Sequence, residues 1–544
     1  MFWAANALAL SAASPTTADP ATTMKPSTVM KRMTPLSRFV ANTQVDAAKE
    51  PTIATWVRQR SSGQNEFSTR KTTRGRRLQK MRQSTALKSP WASLRKSGRL
   101  GASSASSGAS SGRFVVGPDA TRPAYDTPRQ RSPHAPPGSG EYHRASRSGG
   151  DRMPALDGMR VLDMTQYEAG TSCTQLLGWL GADVVKIESP RGDPGRGVVA
   201  AAGLPQYFLN YNSNKRSIVI DLASEEGRDL LLRMAPDFDV FVENYGPGVI
   251  EKLNLTYDVM KEANPSIIYA RLKGFGLSGP YSGFPSYDWV AQAAGGTFSV
   301  TGNAAGPPTR PGPTIGDSGT GAQLALSITA AYVQKQRTGE GQFIEISMQE
   351  AVTLFMRTLG LRTWGESPQE RTGNARGPGT DVYPCKGGGQ NDYLFVMVVT
   401  TAQWDAFCTT IGMPELVADP RFETQRGRFE HGAEFYDIVK EWTLERTKYE
   451  AMKELGSAGV PCSATFDTYE LFTDPHLTER GLVEELDHPE LGTVKVMRMP
   501  ALLSGSDVPM QVAPMLGQHT REVLAGLDFA EDEIAALFDR GVIG

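Results

Sequence analysis

The sequence predicts an α/β protein built on a doubly wound parallel sheet. Two observations carry this. From Ala155 onward, short apolar runs rich in Val and Ile alternate with longer amphipathic runs, as strands and helices do when each strand is followed by a crossover helix. The strand runs are also nearly continuous in hydrophobicity, the pattern of strands covered on both faces. A sheet so covered is Rossmann-like, and ligands of such sheets sit outside the strand carboxyl ends.

The elements follow in order. MRVLDM reads as a short buried strand, CTQLLGWLGA as a helix and DVVKIE as the next strand. SIVIDL is a strand, EEGRDLLLRMA a helix and DVFVENY a strand. VIEKLNLTYDVMKEA reads as one helix, and SIIYARLKGF as a further strand. A loop-rich stretch, GFGLSGPYSGFPSYDWVAQAAGG, comes next, with glycines and aromatics suited either to a cleft or to plain turns. After Asp317 an apolar run with helical spacing ends at Gly339, a residue type that commonly closes helices.

Residues 1–150 differ sharply from this body. They hold 24 Lys and Arg against 7 Asp and Glu, which leaves 33 against 52 in the remainder, so the net charge of -2 hides two opposite segments. The front is rich in Ser, Ala, Arg, Pro and Gly and includes the low-complexity GASSASSGASSG. Such a composition buries too little apolar area to offset chain entropy, and residues 1–152 are expected to be a disordered basic extension. Three readings stand open: an organelle transit segment, a basic tail for nucleic acid or a membrane surface, or an extension without function ahead of Met153.

Four cysteines (Cys173, Cys385, Cys408 and Cys462) are widely spaced with no CxxC pair, which fits free thiols in a reducing compartment. No apolar run approaches the roughly 18 residues of a membrane span. The acidic body argues against nucleic acid as its ligand. A nicotinamide dinucleotide is also disfavoured. Glu188 ends the second strand where a ribose-binding acid would lie, but the first turn, TQYEAGTSCTQ, has one glycine and no GxGxxG cradle.

Asp317 sits at a helix start among Gly316, Gly319 and Gly321. On spacing alone it reads as an ordinary cap, its carboxylate accepting from free backbone N–H groups. The same position suits chemistry. A helix N-terminus favours an ionised carboxylate, which attacks an activated carbonyl without a separate base. Small neighbours would let a bulky thioester approach, and nearby N–H groups would stabilise an oxyanion. None of the six histidines lies between Ala145 and Glu430, and the body has no GxSxG elbow and no HExxH, so serine-hydrolase and zinc-protease chemistries lack their parts.

The body resembles the class III CoA-transferases, the family of formyl-CoA transferase and carnitine CoA-transferase. LDGMRVLDMTQYEAGTSCTQLLGWLGADVVKIESPRGD is similar to the family's first β-α-β unit. NKRSIVIDL, VENYGPGVIEKL, RLKGFGLSGPY, RTGEGQFIEISMQEA, AGVPCSATFDTYELFTDPHLTERG and PMLGQHT follow in family order. The resemblance implies that Asp317, in IGDSG, is the nucleophile, forming an aspartyl mixed anhydride and then an aspartyl-CoA thioester. It implies CoA contacts from Glu168, Arg191, Ile220, Asn244, Tyr245, Val249, Lys252, Leu253, Tyr287 and Met348. Lys252, which on its own reads as a solvated helix lysine, would meet phosphate. The loop RTGNARGPG, with Gly373, Gly377 and Gly379, would close over the intermediates.

The resemblance further implies a large Rossmann-like domain at 153–370, a smaller α/β domain at 371–480 and a segment, 481–544, that returns to the large domain. It implies an interlocked homodimer acting on an acyl-CoA and a small carboxylic acid, with no tightly bound cofactor, in the cytoplasm, or in mitochondria if the extension is a transit segment. Glu168 stands where formyl-CoA transferase has glutamine, Ser189 where it has arginine (Arg191 lies two residues on), and Pro285 where it has lysine. Two other readings are an α-methylacyl-CoA racemase-like enzyme, though FPSYDWV has no histidine, and a non-catalytic acyl-CoA-binding protein.

Overall fold

A computed structural model describes residues 152–198, 205–358, 361–363, 365–374, 377 and 379–544. The expected disorder of residues 1–152 falls, but for Arg152, outside the described residues.

The first part alternates as the sequence predicts. Strands β1 (Arg160–Met164), β2 (Asp183–Glu188), β3 (Arg216–Val219), β4 (Val240–Glu243), β5 (Ile268–Lys273) and β6 (Phe343–Ser347) form one sheet in the order β3-β2-β1-β4-β5-β6, every pair parallel. Between and after them run α1 (Ala169–Trp179), α2 (Gln206–Asn212), α3 (Glu225–Met234), α4 (Val249–Lys252), α5 (Tyr257–Ala263), α6 (Asp288–Ala294), α7 (Thr297–Val300), α8 (Ser318–Thr338) and α9 (Met348–Phe355). The order reverses between β1 and β4, the place where sheets of this kind hold their ligand crevice, outside the strand carboxyl ends.

Alternate side chains of each strand feed opposite cores. Val161, Val184, Val240, Val242 and Ala270 pack with α1, α8 and α9, while Leu162, Val185, Ile218, Phe241 and Tyr269 pack with α3 and α5. The expected single helix over VIEKLNLTYDVMKEA is instead two, α4 and α5. Asn254 adopts φ +53, which ends α4, and Leu255 turns inward to be fully buried before α5 begins. The left-handed conformation tolerated by Asn overrides the helical periodicity there.

A second core is drawn from Tyr383 to Val460. It joins β7 (Thr380–Pro384), β8 (Tyr393–Met397) and β9 (Cys462–Ala464), an antiparallel sheet, to α10 (Thr401–Thr410), α12 (Gly432–Leu444) and α13 (Lys448–Ser457), while the short α11 (Gln425–Glu430) buries no residue. After α14 (Pro475–Glu479), an antiparallel hairpin of β10 (Val483–His488) and β11 (Gly492–Met497) packs Val494 and Val496 on Phe208 and Leu209 of α2. Finally α15 (Thr520–Ala525) and α16 (Glu531–Asp539) enter the core beside α3, and the Asp221 N–H donates to Val542 O at 2.8 Å. No described helix is long and apolar enough to cross a membrane.

The first strand–helix turn is held by buried charge. Asp163, 0% exposed, accepts from Thr165 N–H (3.0 Å), the Thr165 hydroxyl (2.5 Å), the Thr174 hydroxyl (2.7 Å) and Lys215 Nζ (3.0 Å). Burial pulls Lys215 down to about 8 against the opposing pull of Asp163, leaving it charged at neutral pH. Lys186 Nζ donates to Thr165 O and pairs with Asp193, each at 2.8 Å. Removing one partner of such a pair strands the other in a low-dielectric interior. Lys215→Met is therefore expected to destabilise the protein by about 3–5 kcal/mol, read as a lowered urea midpoint.

Candidate active site

Asp317 occupies the N-cap position of α8, yet it is not a capping residue. Its backbone is helical (φ -84, ψ -72) and its carboxylate accepts no cap hydrogen bond. An N-cap normally holds extended backbone so that its side chain can fold back on the first turn. Here the side chain is left unspent. The Asp317 N–H donates to Asp288 Oδ1 at 3.1 Å, and the Asp317 carbonyl accepts from Gly321 N–H at 2.9 Å.

Two further carboxylates converge on it. Asp288 is buried at the first position of α6, with Oδ2 accepting from Gln292 Nε2 at 2.7 Å; Gln292 also donates to Pro313 O at 2.9 Å, which fixes the approach to Asp317. Glu168, 3% exposed, lies in the turn after β1. Its Oε1 accepts from the Thr314 hydroxyl at 2.5 Å and the Ser318 hydroxyl at 2.7 Å. Tyr211 lies near Glu168, its phenol pushed up first by burial and then by that charge. The turn is aimed by Tyr167, a non-glycine residue at φ +61.

Asp317 is consequently pushed up to about 8, by burial first, then Glu168, then Asp288. This overturns the expectation of a carboxylate kept ionised by the helix end. A helix terminus is worth about 0.3–1 kcal/mol, less than one pKa unit, and burial beside two like charges outweighs it. The glycine reading also needs correction. A Cβ on Gly316 would lie 2.6 Å from Asp288 O, on Gly319 3.0 Å from the Phe355 ring, and on Gly321 2.1 Å from Ser172 Oγ. The space these glycines leave is filled by the chain itself.

The other residues expected to bind lie around the same crevice. Asn244, just past β4, accepts from Gln166 N–H at 2.8 Å and returns a bond to Gln166 O at 2.9 Å, while the Tyr245 hydroxyl accepts from Gln166 Nε2 at 3.1 Å. Burial pushes Tyr245 up to about 12. Tyr287, 65% exposed, meets Tyr167 edge-on with centroids 6.1 Å apart. Arg191 is exposed beyond β2 and Lys252 in the last turn of α4, with Val249 and Leu253 half-buried beside it. Ile220 and Met348 are different. Both side chains are buried in the cores, so only their backbones can face a ligand. Gly373, Gly377 and Gly379 adopt φ +59, +126 and +72. Gly373 N–H donates to Gly302 O at 2.9 Å, and Arg371 holds Gly306 O at 2.6 Å.

Asp288, Tyr211, Thr314 and Ser318 were not singled out by sequence reasoning. Asp288 precedes a helix in SYDWV, but nothing in its spacing ties it to a residue 29 positions on.

Comparison with known proteins gives a consistent result. The model of CoA-transferase family III matches residues 156–520. A formyl-CoA:oxalate CoA-transferase of Streptomyces coelicolor is 40% identical over 410 residues, covering 72% of this chain and 99% of the relative. One of Rhodopseudomonas palustris is 36% identical over 417 residues, covering 72% and 97%. The crystal structure of a CAIB/BAIF family protein from Brucella suis superposes with a TM-score of 0.61 at 30% identity, covering 69% of this chain and 99% of that one.

The raised proton affinity of Asp317 has a stability consequence. Its folded-state pKa of about 8 lies above the ordinary carboxylate value, so its contribution is fully present below about pH 4 and is lost as pH rises to 8. Relative to Asp317→Asn, the wild-type protein should lose thermal stability across that window and show no further relative change above it, as measured by thermal unfolding at stepped pH.

Proposed function

The chain belongs to CoA-transferase family III and is a CoA-transferase; on that premise we propose that it moves CoA from an acyl-CoA thioester to a free carboxylic acid through covalent intermediates on Asp317. The observation that carries this is the uncapped carboxylate at the start of α8. An Asp317 oxygen attacks the thioester carbonyl, the C–S bond breaks, and CoA leaves as thiolate with a mixed anhydride formed. The thiolate then attacks the Asp317 carbonyl, releasing the donor acid and leaving an aspartyl-CoA thioester. The acceptor carboxylate attacks that thioester, and the returning thiolate takes the acceptor acyl group and frees Asp317. Thioester is exchanged for thioester, so no net activation is required.

A carboxylate with raised proton affinity is the stronger nucleophile once ionised, and a value near working pH balances the two demands. The amides of Asp317 and Ser318 are already bonded, to Asp288 Oδ1 and Thr314 O. The first-turn donors left for an oxyanion are those of Gly319 and Thr320. In this reading Asn244, Tyr245, Val249, Leu253 and the backbone of Ile220 line the CoA path, Lys252 and Arg191 meet phosphate, Tyr287 and the backbone of Met348 border the acyl end, and the 371–379 loop keeps water from the anhydride.

The large unit at 153–370 would carry the chemistry and the unit at 371–480 the cover, within a homodimer acting in the cytoplasm. Exposed apolar side chains on α8 and α9 (Leu326, Val333, Leu354 and Phe355) offer a surface for a second copy. The names of the two transferase relatives make short acyl groups and short acids the first substrates to screen.

Asp317→Ala should lower transfer by at least about 10³-fold, and hydroxylamine should convert Asp317 of acyl-CoA-treated wild-type protein to a hydroxamate visible by peptide mass. Retained transfer by the variant would refute the assignment. In the free enzyme, kcat/KM should rise with pH and level off above about 8, because only the ionised form of Asp317 attacks.

A further inference from the structure

Buried carboxylates along this sheet edge are otherwise paired with cations. Asp163 faces Lys215 at 3.0 Å, Glu188 faces Arg196 at 2.6 Å, and Glu243 faces Lys273 at 2.9 Å. Glu168 is equally buried, but its hydrogen-bond partners are the hydroxyls of Thr314 and Ser318. Hydroxyls satisfy a carboxylate's lone pairs without cancelling its charge. Thr314 and Ser318 flank Asp317, so this uncompensated charge stands at the nucleophile itself. A glutamine at this place would accept the same hydroxyl bonds through its amide oxygen and carry no charge.

We infer that Glu168 is a specificity-determining residue that admits monocarboxylic acceptor acids and rejects acids carrying a second carboxylate beside the reacting one. The inference rests on the transferase reading of Asp317. At the acceptor step Asp317 is bound as a thioester and neutral, and the acceptor's own carboxylate must reach its carbonyl. A second carboxylate one to three bonds away then comes against Glu168 with Asp288 behind Asp317, and among the described residues no cation is paired with either. Juxtaposed like charges in a water-poor site discriminate strongly. A neutral or cationic substituent meets no such barrier. Glu168 thus selects by repulsion, and the acceptor class it leaves open is the monocarboxylates.

The experiment uses the full chain with formyl-CoA, acetyl-CoA and butanoyl-CoA as donors and two matched acceptor pairs, glyoxylate with oxalate and butanoate with succinate. The wild-type protein should use glyoxylate and butanoate in preference to their dicarboxylate partners. Glu168→Gln should raise the dicarboxylate-to-monocarboxylate ratio of kcat/KM by about tenfold or more. It should also move the pH limb of kcat/KM toward acid, a shift that a purely structural role would not produce. A wild-type preference for oxalate and succinate overturns the inference even if the variant fails to fold, as does a ratio unchanged in a folded variant. Asp317→Ala separates the two levels of the argument. If wild-type protein transfers CoA to none of these acids above the level of Asp317→Ala, the transferase reading fails and takes this inference with it. If wild-type protein transfers and the ratios do not move, only the role of Glu168 is lost.

Discussion

The position of the candidate nucleophile depends on a buried carboxylate that never meets it. Asp163, one residue from the end of β1, has no exposure, and its four donors come from the turn that follows, from α1 and from Lys215 just before β3. Those bonds fold the chain back within two residues of the strand, so that Gln166, Tyr167 and Glu168 are presented at the crevice. From there Gln166 ties to Asn244 beyond β4, and Glu168 ties to Thr314 and Ser318 at the start of α8. Residues about 150 positions apart are thereby held within hydrogen-bond distance. A parallel sheet brings strand ends together, but it does not by itself fix the turns between them. The buried charge at 163 does so here.

The glycines around Asp317 show how a motif can be read in two directions. In the sequence they suggest room for a ligand. In the structure Gly321 lets α8 lie against Ala169 and Ser172 of α1, Gly316 lets Asp288 approach, and Gly319 accepts the ring of Phe355. Close backbone approach is a use of glycine as general as conformational freedom. The consequence for chemistry is indirect but strong. Because protein atoms fill these gaps, the N-terminal turn of α8 is held rigidly against its neighbours, and a reactive group on it is placed within a narrow range of positions.

Much of the fold was legible because strands covered on both faces leave long apolar runs that local periodicity detects. Short and half-buried, β6 (Phe343–Ser347) was not picked out as a strand, but the other five of the six parallel strands and the length of α8, down to its closing Gly339 in the left-handed region, follow from such local signals. The break at Asn254 did not, because a single left-handed residue overrides a helical pattern without altering hydrophobicity. At the site, Asp317 could be found from its flanking glycines and its motif. Asp288 could not, since its role arises from a contact between two helix starts, and Tyr211 joins Glu168 only through tertiary packing. The proton affinity of Asp317 was misjudged for the same reason. A helix end is a local feature and can be read; the carboxylates facing it are assembled by the fold.

The electrostatics of the crevice follow from a division among its acids. Where a carboxylate serves only the fold, a cation stands beside it, and the pair is neutral to anything that enters. Glu188 also accepts from the Ser217 hydroxyl at 2.6 Å, yet Arg196 still grips both of its oxygens. Among the described residues Glu168 has no such cation, and Asp288 spends its oxygens on an amide N–H and a glutamine. Burying charge without a counterion is costly, and a chain that needed only hydrogen-bond acceptors could use amides at lower cost. The negative field at Asp317 is therefore something the fold sustains at the expense of stability. Its first effect is on the nucleophile, whose proton is held until near pH 8. Its second would fall on any ligand group brought beside the nucleophile, with the same sign: a further negative charge there would be disfavoured.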